Sequence, residues 1–558
     1  MKKALILLLM CSQIISCSKK SHPDYFGVVK PSHPADELVL GGASEPKYLD
    51  PTLVSDSSSR FMSSGMFVRL VESHPQTGEI IPDLAKSWDV SADGLEYTFH
   101  LREAVWSDGT PLTAHDVEYS WKRLANPKTG STYIQMVDVF ENGQAFRKGQ
   151  TTEDKLGVKA IDDRTLKVKL AKPVPYFLGM IEYMVFAPVP KHVVEKFKAQ
   201  GNENVWVRPE NIVVSGPFQL VEEAFKQYKA YKKNPLYYGA SHVRVNKVKV
   251  LLIEDYTASM NAYKTGQHDW SSETSIPTDM LEDMRKYKDF HFDPMLTIYF
   301  YIFNTLRKPL DDERVRNALS LAIDRKMIVE RITKQGQIPS RDIVAKGIAN
   351  YIGANSSIYE PELAKKLLAE AGFPGGKGFP KMTIKFNTSE GHRKIAEVVQ
   401  EMWRSTLGIQ VDIANMEFRN LLEDQNQKNF DIVRFAWVAD YMDPHTFMQL
   451  GLSESENNKS GWKNKKYDEL IELTDQTSDQ KKRFELFAQA EKIMAQESPI
   501  APIYSYTRSY MKKPYLKGFW PHFQDRHEWK YMWIDERWYK GVPENREVEN
   551  DQPWIEGK

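Results

Sequence analysis

Residues 84–124 read LAKSWDVSADGLEYTFHLREAVWSDGTPLTAHDVEYSWKRL. Two Asp-Gly turns, Asp93-Gly94 and Asp108-Gly109, bracket the alternating run Tyr97–Leu101, the pattern of a strand with one buried face. Thr113, with Asp116 three residues on, has the spacing of a helix N-cap box. Val117, Trp121 and Leu124 then line one face of the helix it opens. Locally the stretch is a hairpin-then-helix unit with no chemistry of its own.

Beyond it, periodicity predicts mixed α/β structure. Strands are expected at Leu166–Leu170, Val248–Ile253, Met382–Phe386, Ile409–Ile413 and Phe430–Ala436, and helices at Val315–Thr333, Glu362–Ala371 and Ile395–Leu407. Their alternation after residue 362 reads as an α/β lobe.

The start of the chain bounds the compartment. Lys2 and Lys3 precede the apolar run Ala4–Met10, too short to span a bilayer but suited to a signal peptide at 1–16. Ile14-Ile15-Ser16-Cys17 resembles a bacterial lipobox, which implies lipidation of Cys17; an ordinary signal peptide with a chance cysteine is the alternative. Each buried CH₂ of such a chain contributes roughly 0.8 kcal/mol, so two or three acyl chains hold a soluble domain at a membrane. Cys11 is the only other cysteine and leaves with the signal, so no disulfide is expected. Residues 17–37 then read as a polar tether.

Without Lys2 and Lys3 the 75 basic residues become 75 − 2 = 73 against 75 acidic ones, which removes the electrostatic case for nucleic acid. The remaining ~520 residues exceed one core, so two or three domains are expected. No phosphate-loop, HExxH or GxSxG motif occurs, and Gly375-Gly376-Lys377-Gly378 lacks the following Ser or Thr. His522 and His527 are weak metal evidence, and Asp311-Asp312 reads as solvated. The expectation is a protein that is not an enzyme and needs no metal or cofactor.

A second stretch carries opposite charges: Phe430–Phe447, FDIVRFAWVADYMDPHTF, sets Arg434 and Asp440 six residues apart among aromatic side chains. Such a pair suits the two ends of a zwitterion. Taken alone, Asp440 reads as a loop cap beside Pro444, and a bridge to a neighbouring carboxylate is the alternative for Arg434.

Together with Asn126-Pro127-Lys128-Thr129, Lys159–Leu170, Val174-Pro175-Tyr176-Phe177, Val189-Pro190-Lys191, Ser215-Gly216-Pro217, Val315–Arg325 and Leu367–Phe373, these stretches resemble the oligopeptide- and dipeptide-binding proteins of ABC transporters. The matches are collinear from about residue 38 to about residue 510. The resemblance implies an α/β, two-lobed periplasmic-binding-protein fold with hinge closure, of the large peptide-binding type with an extra domain in the first lobe. It places lobe I at 38–70, 191–297 and 508–558, the extra domain at 71–190 and lobe II at 298–507.

The same resemblance implies that Asp440 receives a peptide's α-ammonium and that Arg434 and His392 meet its carboxylate. His392 and Asp440 lie 440 − 392 = 48 positions apart, as in oligopeptide-binding members. His392 alone reads equally as a solvated residue opening a helix. Tyr133, Trp437 and Tyr506 match cleft aromatics, and Phe418 stands where members often have tryptophan; each taken singly is a core residue. One departure concerns length: Thr333 stands where members can have a lysine, with Lys334 shifted by one. The implied partners are short peptides, the permease subunits of an ABC transporter and the membrane through the lipid anchor alone, with the protein a monomer. Cell-wall (murein) peptides, dipeptides, haem or nickel complexes remain alternative ligands, and an exported hydrolase or a non-transport surface lipoprotein are the other classes.

Overall fold

A computed structural model describes residues 22–538 except 272–275, 278, 349, 417, 456 and 478, together with residue 553; at Glu390, Phe418 and Arg419 only the backbone is described. The expected leader and Cys17 lie outside the described residues.

The opening stretch forms an antiparallel four-stranded sheet with the segment that follows it, in the order Ala85–Val90, Glu96–Leu101, Thr165–Lys169, Val158–Asp162. Tyr97, Phe99 and Leu101 are buried, as the alternation predicts. Gly94 and Gly109 take φ of 70° and 87°, the left-handed region that Asp-Gly turns require. The helix Ala114–Ala125 starts where its cap box predicts, with the Thr113 N–H donating to Asp116 Oδ2 at 2.9 Å. It buries Val117, Trp121 and Leu124 against the sheet's core.

The molecule has two lobes. In the first, a five-stranded sheet runs Trp270–Ser271, Glu37–Gly41, Lys247–Leu251, Tyr228–Lys233, Phe218–Ala224. One continuous apolar core serves both this sheet and the four-stranded one. The second lobe is built on a six-stranded sheet, Ile338–Pro339, Ile500–Met511, Phe290–Phe303, Ile432–Val438, Met382–Asn387, Val411–Met416. Both of its faces are covered: Tyr299, Tyr301 and Phe303 enter a core with the helices Glu313–Leu321, Pro361–Glu370 and Glu390–Leu407. Ile298, Phe300 and Ile302 enter another with Lys465–Asp475 and Gln480–Glu497. Burial on both sides explains the near-continuous apolar run Leu296–Phe303.

Two long strands, Phe290–Phe303 and Ile500–Met511, carry the chain between lobes. Their register breaks between Pro294 and Ile298, and Trp270 of the first-lobe sheet bridges to Lys512 just past their far end. An interrupted ladder at the crossing leaves the strands free to bend there.

The structure breaks one expected helix and shifts the ends of other elements. The helix predicted at Val315–Thr333 is broken: a first helix ends at Leu321, Asp324 caps a new turn by accepting from Met327 N–H at 2.9 Å, and the chain continues as a π-type turn, Ile328–Thr333. Arg325 holds the break. Fully buried, it donates to the carbonyls of Ser320, Ile323, Ser340, Ile358 and Pro502 at 2.7–3.1 Å, so helix-end acceptors with no helical partner are satisfied by a side chain. Burial without a carboxylate in contact lowers its pKa to about 9. Arg325→Met is expected to destabilise the protein by ~3–5 kcal/mol, because several buried carbonyls lose their donors together; the urea midpoint measures it, and an unchanged midpoint contradicts this role. The Ile395–Leu407 helix starts five residues early, at Glu390, and the strand expected at Ile409–Ile413 runs Val411–Met416.

Candidate binding cleft

A cavity of about 340 Å³ opens between the lobes. Arg60 and Tyr183 of the first lobe line it, as do Val438 and Tyr506 of the second and Gln524 and Arg526 of the C-terminal loop. A second cavity of about 370 Å³ is lined by Tyr176, Tyr441 and Asp443, with Glu182 in the wall of both. Next to them the lobes touch. Tyr176 stacks on Tyr441 with ring centroids 4.4 Å apart and planes within 2°, and lies 4.6 Å from the His445 ring. Lys172 Nζ is 3.1 Å from Asp475 Oδ2.

Asp440 follows the strand Ile432–Val438 in a loop pinned from several sides. Ala439 N–H donates to Leu296 O at 2.8 Å, Gln524 Nε2 donates to Ala439 O at 3.2 Å, and Asp440 N–H donates to Thr446 Oγ1 at 3.1 Å. Asp443 is held by Arg483, whose Nη2 is 2.8 Å from Oδ1. The Asp440 carboxylate itself receives only a long contact from Thr446, at 3.5 Å, and no ion pair among the described residues. Burial pushes its pKa up to about 6, against the opposing pull of the Thr446 hydroxyl and of Arg60 and Arg526. Holding it charged at neutral pH costs the ligand-free fold at most about 3 kcal/mol, a cost that an arriving cation offsets.

Arg434 sits in the same strand, on the Tyr299 side of the sheet. Its Nη1 donates to Asn387 at 3.1 Å and its Nη2 to the Tyr506 hydroxyl at 2.7 Å, while the guanidinium lies 4.5 Å over the Tyr299 ring. Its Nε has no hydrogen-bond partner among the described residues. Burial works against its charge, but the tyrosine oxygens of Tyr506, Tyr299 and Tyr504 outweigh it and raise its pKa. His392 lies in the first turn of the helix capped by Ser389, its ring 5.6 Å from that of Tyr299. Burial and the neighbouring Arg434 push its pKa to about 3, so it is a neutral ring rather than a second cation.

Comparison with known proteins puts this geometry in context. Residues 79–459 match the family model of bacterial extracellular solute-binding proteins, family 5 (middle). The chain is 35% identical over 533 residues to the periplasmic oligopeptide-binding protein OppA of Salmonella typhimurium, covering 93% of this chain and 96% of that one. It is 35% identical over 494 residues to the periplasmic murein peptide-binding protein MppA of Escherichia coli, covering 87% and 90%. Among solved structures, a periplasmic oligopeptide-binding protein (OppAIV) of Borrelia burgdorferi superposes with a TM-score of 0.76 at 35% identity, covering 89% of this chain and 99% of that one. The chain belongs to the family 5 solute-binding proteins. Its two-lobed architecture is that of this family, and its relatives, named as periplasmic, imply export.

Of the remaining expected site residues of this family 5 protein, Tyr506 lines the 340 Å³ cavity. Tyr133 accepts from the Tyr183 hydroxyl at 2.9 Å; burial raises its pKa, and Tyr183 and Asp440 add to the rise. Trp437 points its Nε1–H at Thr446 Oγ1, 3.2 Å away, sharing the hydroxyl that supports Asp440. Tyr506 lines the cavity and holds Arg434. The Phe418 side chain lies outside the described residues. Thr333 Oγ1 donates to Gln337 Oε1 at 2.8 Å, while Lys334 turns out to solvent at φ 54°, and Gln335 is the residue of this segment that lines the cavity. His522 and His527 are buried and pushed down to about 3, and no metal-holding group of His, Cys, Asp and Glu occurs among the described residues. Sequence reasoning missed Tyr299, Arg60 and Arg526. Tyr299 is visible in the alternation of Tyr299, Tyr301 and Phe303; the two arginines carry no sequence signal.

Proposed function

We propose that this protein captures short peptides with free amino termini between its lobes and hands them to the permease of an ABC transporter. The observation that carries the reading is Asp440: a largely buried carboxylate with raised pKa, pinned at the lobe boundary and left without a cation. Six residues earlier Arg434 supplies the opposite charge. At roughly 3.3 Å per strand residue the two backbones stand at most ~20 Å apart. An extended peptide of about three to five residues, at up to ~3.6 Å each, plus the reach of an arginine side chain, spans that gap. Asp440 takes the ammonium, Arg434 the carboxylate through its fork, and neutral His392 donates to an oxygen of the same end. Main-chain pairing with the protein gives affinity without reading sequence.

Sequence supports the rest of the reading. The lipobox-like run before Cys17 supports a lipid anchor, and the protein acts as a monomer with no catalytic step. The partition into lobe I (38–70, 191–297, 508–558), extra domain (71–190) and lobe II (298–507) accords with the strands Glu37–Gly41 and Phe218–Ala224 joining one sheet from two separate segments. Haem and nickel complexes bring no α-ammonium for Asp440 to receive. A murein peptide offers the same termini, and the equal identity to the murein peptide-binding relative keeps it as the second reading.

Mass spectrometry of molecules released on denaturing the purified protein tests the reading. Peptides of a few residues are expected, and cell-wall peptides alone would favour the second reading. If no peptide is released and calorimetry detects no binding of Ala-Ala-Ala, the proposal falls.

A further inference from the structure

Tyr176 reaches from the first lobe across to the second. It precedes the short helix Phe177–Ile181, and Phe177 fixes it in place: that ring is fully buried in the first-lobe core, 4.7 Å from the ring of Tyr97. The Tyr176 ring settles on two rings of the second lobe at once, 4.4 Å from Tyr441 and 4.6 Å from His445. Those two rings form a platform. Their planes lie within 24° of each other, and the Tyr441 hydroxyl and His445 Nδ1 are within hydrogen-bond distance at 2.9 Å. The platform is held from within the second lobe: the His445 N–H donates to Asp443 Oδ1 at 2.9 Å, and Arg483 Nη2 donates to the same oxygen at 2.8 Å. Lys172 adds an ion pair at 3.1 Å to Asp475 Oδ2, whose other carboxylate oxygen has no hydrogen-bond partner among the described residues.

A hinge motion that parts the lobes separates Tyr176 from this platform, since ring and platform are each fixed to their own lobe. The stack therefore exists only when the cleft is shut. Tyr176 and Tyr441 stand in the wall of the 370 Å³ cavity and not in that of the 340 Å³ cavity lined by Tyr506, so the contact adds to closure without entering the latter.

We infer that Tyr176 is a positioning residue for peptide capture: its ring latches onto the Tyr441–His445 platform and holds the lobes shut on a bound peptide, whatever the peptide's sequence. Flat aromatic faces suit this task, because they bury apolar area on meeting and need break no hydrogen bond on parting. A contact made only in the shut state biases the open–shut equilibrium by its full free energy, and it slows release rather than capture. Lys172 and Asp475 contribute a weaker, salt-sensitive part, as expected of an ion pair whose lysine side chain is 62% exposed. The inference rests on the peptide reading of the cleft.

Calorimetry and stopped-flow release at pH 7 on the full mature protein test it with Ala-Ala-Ala, Ala-Phe-Ala and Ala-Lys-Ala. Tyr176→Ala is expected to raise both Kd and the release rate about 10-fold for all three, and Tyr176→Phe, which keeps the ring, to stay within about twofold of the native protein. Lys172→Glu sets two carboxylates against each other in the shut state. It is expected to raise Kd about threefold at low salt and to approach native behaviour at about 0.5 M salt. Native affinity in Tyr176→Ala overturns the latch and leaves the peptide reading standing, as does a loss confined to one of the three peptides, which would make Tyr176 part of a side-chain pocket. Failure of the native protein to bind any of them overturns both. If Tyr176→Ala does not fold, because the ring also packs on the first-lobe core, Lys172→Glu decides alone: native affinity at low salt in that variant refutes the inference.

Discussion

Asp440→Ala is expected to weaken binding of a free tripeptide by ~3–5 kcal/mol, a rise in Kd of more than 100-fold, because the ligand ammonium would enter the closed cleft with no carboxylate to meet it. The ligand-free protein should not suffer. Its Asp440 has a folded pKa of about 6, above the usual 3.8, so the fold loses stability as pH rises from about 4 to 6 and carries the full penalty at neutral pH. Asp440→Asn removes that charge and is expected to leave unliganded stability at pH 7.5 unchanged or raised by up to about 3 kcal/mol. Binding lost with stability kept is the signature of a site residue. Binding and urea midpoint falling together would identify a structural one.

The same carboxylate sets the second large effect, which is on pH. Peptide affinity is expected to be greatest between about pH 6 and 8, where Asp440 is ionised and the α-amine, with its usual pKa of 7.7–8.0, is still protonated. Below pH 6 the free protein must give up a proton from Asp440 to bind, so affinity should fall roughly tenfold per pH unit until the pKa of the complex is reached. His392 does not compensate: its pKa of about 3 keeps it neutral over this range. Calorimetry from pH 4.5 to 8 in buffers of differing ionisation heat reads both the affinity and the proton released. A flat affinity with no proton release below pH 6 contradicts the assignment.

What was legible in the sequence follows from which interactions are local. The cap box at Thr113, the Asp-Gly turns and the alternation in Glu96–Leu101 are short-range signals, and the structure has them where they are read. The break after Leu321 was not legible, because it depends on Arg325 finding carbonyls at Ser340, Ile358 and Pro502, far along the chain. The start of the helix at Glu390 was missed for a different reason. Its first turn is polar, so apolar periodicity begins only at Ile395, while the cap is a single serine.

The cleft divides in the same way. Asp440 and Arg434 share one strand and its following loop, so their six-residue separation in the chain is also a spatial fact. Their environment is not: Tyr506, Asn387 and Tyr299 reach Arg434 from three other strands of the sheet. Arg60, Glu182 and Arg526 line one cavity from parts of the chain more than 100 positions apart. A pKa of about 3 for His392 depends on that assembly, and so does the distinction between a cation and a neutral donor.

The central claim is that Asp440 holds a free amino terminus. The most direct measurement is a calorimetric cycle of Ala-Ala-Ala and its N-acetylated form against the native protein and Asp440→Asn at pH 7. The native protein is expected to prefer the free peptide by 100-fold or more, and the variant to prefer it by less than about threefold. Equal discrimination by both proteins, or none by the native one, would contradict the account.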